Sequence, residues 1–145
     1  MLKGVNEIQD NFVVCLSEWK DRIPALRSWV LNIHVTTDSL PKHAAYEAKT
    51  GAYTEAWSKY ENATINLHLP DDPEIESEEL EEIAVHELMH IILSPWNEGW
   101  QAAMGKQLTE EMKDVLLIME EQACTRLACG YMRTKHPKHT EEVKA

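Results

Sequence analysis

The chain has 145 residues and carries 14 Lys+Arg against 25 Asp+Glu, a formal net charge of −11. A single domain is expected at this length, and a hydrophobic content of 43% is enough to fill its core, which excludes intrinsic disorder. Charge of this sign repels phosphate backbones, and only the short stretch from Lys135 to Lys138 is basic, so nucleic acid is excluded as a partner.

Met1 to Asp10 is polar and lacks the apolar stretch of a signal peptide, and the cysteines Cys15, Cys124 and Cys129 are odd in number; the expectation is a reducing, cytoplasmic compartment. No apolar run nears the roughly eighteen residues of a membrane span, so a soluble protein is expected. Val5, Ile8, Phe12, Cys15, Leu16, Trp19 and Ile23 recur at steps of three and four, one stripe of an amphipathic helix that Pro24 closes. Trp29, Leu31, Ile33 and Val35 then alternate with Val30, Asn32, His34 and Thr36, the period of a half-buried strand. His43 to Lys49 and Ala52 to Tyr60 are expected to form a hairpin turning at Thr50-Gly51, where glycine supplies positive φ. A further strand, Ala63 to Leu69, sets Ala63, Ile65, Leu67 and Leu69 on one face.

Pro70-Asp71-Asp72-Pro73 closes the sheet and opens a helix, with Asp72 as cap and Pro73 in the first turn, expected to run to about Leu93 and to end at Ser94-Pro95. The glutamates between Glu74 and Glu82 suit the positive end of its dipole and read as a solvated face. Trp96 to Trp100 reads as a turn-rich loop, a last helix covers about Leu108 to Met132, and the polar residues after it read as a frayed tail. The fold class is therefore α+β: an N-terminal helix, a small, mostly antiparallel sheet of three or four strands, and two helices. One domain covers residues 1–132 and a flexible tail covers 133–145.

Within the first of the two later helices lies His86-Glu87-Leu88-Met89-His90, an H-E-x-x-H sequence. Residues four apart lie one turn above each other on a helix, so His86 and His90 converge on one ion, while Glu87 is offset and reaches a water rather than the ion. A catalytic zinc site needs a third protein ligand and an open position for water. The last helix offers Glu120 and Glu121. At 100° per residue, Met112, Leu116, Met119, Ala123, Leu127 and Tyr131 form its apolar face, with Glu120 in the middle and Glu121 off to one side, toward Leu117, Cys124 and Ala128. A carboxylate centred on a core-facing stripe is costly unless it meets a cation, which favours Glu120 as third ligand and leaves Glu121 as the alternative. Tyr131, His68 and His34 are oxyanion candidates by side-chain type only, each read first as a packed or surface residue; His43, His136 and His139 read as surface residues.

Three segments resemble the short zincin metallopeptidase domains of the ImmA/IrrE type and their small phage and prophage relatives, the minimal gluzincins. They are the strand Ala63 to Leu69, the His86–His90 motif, and the run from Glu120 to Ala128. In that family a ligand glutamate precedes a small residue by three positions and an apolar-plus-alanine pair by six and seven; Glu121 fits this whole spacing through Cys124, Leu127 and Ala128, whereas Glu120 fits it through Ala123. The resemblance implies a zinc-dependent peptidase, Zn2+ as cofactor, a protein or peptide substrate, and edge addition of an extended peptide to the strand before the active-site helix. Larger gluzincins place an aspartate one turn after the ligand glutamate to orient a histidine, and here Cys124 or Thr125 stands there instead. The departure keeps open an alternative from another class, a zincin-fold protein that uses zinc for structure or for binding a partner.

Overall fold

A computed structural model describes residues 1–37 and 50–140. Strand β1 (Leu2–Lys3) leads into helix α1 (Val5–Arg22), entered through Gly4 at φ 83°, a left-handed conformation that glycine adopts without cost. The predicted stripe is the one buried: Ile8, Phe12, Leu16 and Trp19 all face the core. A 3-10 turn at Pro24–Leu26 then delivers the chain to β2 (Val30–Thr36), in which Val30, Asn32 and His34 are exposed while Leu31, Ile33 and Val35 are partly covered. The expected strand from His43 to Lys49 lies outside the described residues. Strand β3 (Gly51–Trp57) covers most of the second arm, and its hairpin partner is β4 (Asn62–His68), reached through a 3-10 turn at Ser58–Tyr60 and Glu61 at φ 47°.

The sheet order is β2-β4-β3, with β3 antiparallel and β2 parallel to β4. The sheet is thus mixed rather than mostly antiparallel, because alternation fixes which face is buried and says nothing about strand direction. Ala63, Ile65 and Leu67 of β4 are fully buried, as a central strand requires.

The helix that carries the H-E-x-x-H sequence begins later than expected. Asp72 takes a left-handed φ of 47°, and Glu74–Ile75 form a short strand, β5, antiparallel to β1, so α2 (Ser77–Met104) starts after Glu76. It also ends later, since Pro95 lies inside it. Proline removes the N–H that would bond the carbonyl of Ile91 four residues back, and the Ser94 hydroxyl donates to that carbonyl instead, at 2.7 Å. The serine that reads as half of a stop signal is what lets the helix pass the proline, and Trp96 to Trp100 are helical.

A 3-10 turn at Gly105–Gln107 reverses the chain into α3 (Glu110–Lys135), capped by Thr109, whose side chain accepts from the Met112 N–H at 3.1 Å. The face that α3 buries is not the most apolar one: Cys124, Ala128, Cys129 and Met132 are covered, while Met119 and Leu127 are 53% and 41% exposed. The buried face carries the small residues Cys124 and Ala128, and Cys124 meets His90 of α2, so the roll of α3 does not follow summed hydrophobicity.

Two charged features also depart from expectation. Glu81 is buried at 6% exposure and accepts from the Trp19 indole at 2.7 Å, Lys135 Nζ at 2.8 Å and His136 Nε2 at 2.8 Å. His139 is buried rather than superficial, between Glu78 at 2.6 Å and Glu82 at 3.1 Å, and Arg133 donates to its carbonyl. Residues up to His139 are therefore docked against the first turns of α2. Among the described residues no helix is long and apolar enough to cross a membrane.

Candidate metal centre

One face of α2, carrying Leu80, Ala84, Leu88 and Ile91, is sealed in the core. His86 and His90 lie toward α3, their rings 5.0 Å apart at 69° and their side chains each 13% exposed. The roll of α3 brings Glu121 to them: its Oε2 lies 3.1 Å from His86 Nε2 and its Oε1 lies 3.1 Å from His90 Nε2. Glu120, the preferred ligand by burial, lies on the other side of His90, with Oε1 at 3.7 Å from Nδ1 and at 3.5 Å from Asn97 Nδ2. Burial and proximity to both histidines thus separate: Glu120 is 11% exposed and Glu121 is 46% exposed.

One ligand atom from each of His86, His90 and Glu121 can be chosen so that all lie within 4.8 Å of one another, and the cluster could hold a metal ion. Atoms bound about 2.1 Å from one tetrahedral ion lie roughly 3.4 Å apart, and the 3.1 Å separations between Glu121 oxygens and the two Nε2 atoms fall close to that span. The two Nδ1 atoms point outward, that of His86 toward Thr125 Oγ1 at 3.5 Å and that of His90 toward Glu120. Thr125 stands one turn after Glu121 and supplies the hydroxyl that meets His86.

Electrostatics bind the cluster together. Burial opposes charge on His90, but Cys124 and the carboxylates of Glu120, Glu121 and Glu87 outweigh it and hold the imidazole far above its ordinary range. Burial likewise opposes charge on Glu121, and the two histidines outweigh it and push its carboxyl well below the usual range. The Cys124 thiol is raised, chiefly by burial, and behaves as a packed side chain.

Glu87 is 2% exposed and turns toward β3, where Thr54 Oγ1 donates to its carboxylate at 2.5 Å. Nothing in the sequence marked Thr54; the signal available was only its position on a strand ahead of the motif. Of the oxyanion candidates, His34 is exposed on β2, His68 is buried at the end of β4, and Tyr131 packs edge-on against Trp19, some 15 Å along α3 from Glu121 at 1.5 Å per residue. Past His90, α2 continues the same face with Ser94 and, beyond Pro95, with Asn97, Glu98 and Gln101, and a cavity of about 320 Å³ lies between them and β3.

In comparisons with known proteins, no protein-family model matches the chain, and neither a curated protein nor a solved structure does.

Proposed function

We propose that this chain is a zinc-dependent metallopeptidase of the H-E-x-x-H class, with His86, His90 and Glu121 as ligands and Glu87 as general base. The observation that carries the reading is the convergence of both Nε2 atoms on the Glu121 carboxylate at 3.1 Å, beside a buried glutamate held by a hydroxyl. A zinc ion bound there would lower the pKa of water toward neutrality and polarise a peptide carbonyl. Glu87 takes the proton from the attacking water and delivers it to the leaving amine nitrogen, while Thr54 keeps the carboxylate aimed. The strand expected to receive substrate, β4, is central and already paired on both sides; β3, an edge among the described residues and in contact with Glu87 through Thr54, is the strand to which an extended peptide would add.

The test is a Glu87→Gln variant loaded with zinc and assayed against a mixed peptide library by mass spectrometry. Normal zinc content with no cleavage, beside a wild type that cleaves, supports the assignment; full activity in the variant removes Glu87 from it. One observation favours a second reading, a metal-binding protein of the same fold without turnover: the Nδ1 contacts of 3.5 and 3.7 Å are long for orienting partners. On that reading zinc stabilises the wild type and no peptide is cut.

A further inference from the structure

The cavity beside His90 exists because α2 does not stop at Pro95. Positions 90, 94, 97, 98 and 101 recur at helical spacing, so the face that carries a proposed ligand continues for about three more turns at 3.6 residues each, and all of its side chains are polar. Opposite stands β3 with Thr54, Ala56 and the indole of Trp57, and α3 contributes Glu120. Among the described residues, two carboxylates line this space and no lysine or arginine does.

The two carboxylates differ in how they are held. Glu98 is fixed by the Ser58 backbone N–H at 3.0 Å and by the Ser58 hydroxyl. Glu120, 11% exposed, meets Asn97 Nδ2 at 3.5 Å and His90 Nδ1 at 3.7 Å, and both contacts are long. The His90 ring is the cationic partner Glu120 already has, but at 3.7 Å it leaves the carboxylate able to take a closer one from the cavity side. A lysine or arginine side chain would supply that cation, and its aliphatic stem would lie along the half-exposed indole of Trp57. The volume, about 320 Å³, is at the small end of ligand sites, which suits one side chain rather than a large ligand.

We infer that this cavity is a specificity pocket for a basic side chain, so that the peptide substrates carry lysine or arginine next to the bond that is cut. The inference rests on the peptidase reading for its location beside a scissile bond, but the pocket's preference can be measured without turnover. The probes are N-acetylated, C-amidated pentapeptides Ala-Ala-Xaa-Ala-Ala with Xaa as Lys, Arg, Gln or Glu, titrated onto zinc-loaded Glu87→Gln protein and followed by Trp57 fluorescence, with a Trp57→Phe control. Blocking the termini excludes capture of a free α-amine.

The expected result is roughly tenfold tighter binding of the Lys and Arg peptides than of the Gln peptide, the Glu peptide weakest, and loss of that preference when Glu120→Gln is added. Glu120→Gln keeps the shape of the side chain, and the comparison among peptides on protein with Glu120 intact does not depend on that variant folding. Equal affinity for the Lys and Gln peptides, or no binding of any peptide, overturns the pocket. Binding that prefers Lys through Glu120 in a protein whose wild type cuts nothing leaves the pocket standing and removes the peptidase reading. Cleavage of a mixed library with no basic preference does the reverse.

Discussion

Replacing Glu81 with alanine tests whether the polar knot under α1 and α3 is a main support of the fold. Three donors meet its carboxylate, Trp19 Nε1 at 2.7 Å, Lys135 Nζ at 2.8 Å and His136 Nε2 at 2.8 Å, and the residue is 6% exposed. The substitution strands the indole N–H of Trp19, itself 1% exposed, which costs about 1–3 kcal/mol. Breaking a fully buried ion pair costs about 3–5 kcal/mol, but Lys135 and His136 are 29% and 32% exposed, which discounts that part. A loss of about 3 kcal/mol overall corresponds to about 9 °C in Tm at roughly 3 °C per kcal/mol for a chain of this size.

The effect also has a pH signature. Burial opposes charge on Glu81, but Lys135, His136 and Trp19 outweigh it and hold the carboxyl below its ordinary value of 4.5. A carboxylate depressed by folding stabilises fully above its unfolded pKa, and the contribution disappears as pH falls through the folded one. The gap between wild type and Glu81→Ala in thermal melts should therefore be widest near neutrality and narrow below pH 4.5 to the part left by the stranded indole N–H. A deficit below about 3 °C at neutral pH, against the roughly 9 °C expected, or one that persists undiminished into acid, would refute the reasoning.

Two further substitutions probe the site. Thr54→Val removes the hydroxyl that holds Glu87 at 2.5 Å, so peptide hydrolysis should fall about tenfold while zinc affinity stays unchanged; a parallel loss of zinc would show that Thr54 supports the centre as a whole. Ser94→Ala leaves the Ile91 carbonyl beside Pro95 without its 2.7 Å donor, and urea denaturation should register a loss of about 1–2 kcal/mol; an unchanged midpoint would mean that the helix passes the proline by other means.

How much was legible in the sequence follows from which forces act locally. The stripe of α1 and the alternation of β2 and β4 were readable because each residue's face is set by its own periodicity, and Ile8, Phe12, Ile65 and Leu67 are all buried. The H-E-x-x-H pair was readable for the same reason. Which glutamate meets the two histidines was not, because it depends on the roll of α3, which buries Cys124 and Ala128 and leaves the larger apolar residues Met119 and Leu127 partly exposed. The family-like spacing pointed to Glu121, and helical burial pointed to Glu120; the geometry gives Glu120 the burial and Glu121 the histidines. Pro95 misled because the compensating Ser94 hydroxyl reads in sequence as part of a stop. Glu81 was hidden in a run of glutamates of which only tertiary contacts distinguish it.

The central claim is a metal centre built by His86, His90 and Glu121, and metal content measures it directly. Wild type, His86→Ala, Glu121→Ala and Glu120→Ala are refolded with excess zinc, desalted and analysed for zinc per chain. The account predicts near-stoichiometric zinc in wild type and in Glu120→Ala, and little in His86→Ala and Glu121→Ala. Absence of zinc from wild type, or its retention in Glu121→Ala with loss in Glu120→Ala, would contradict it.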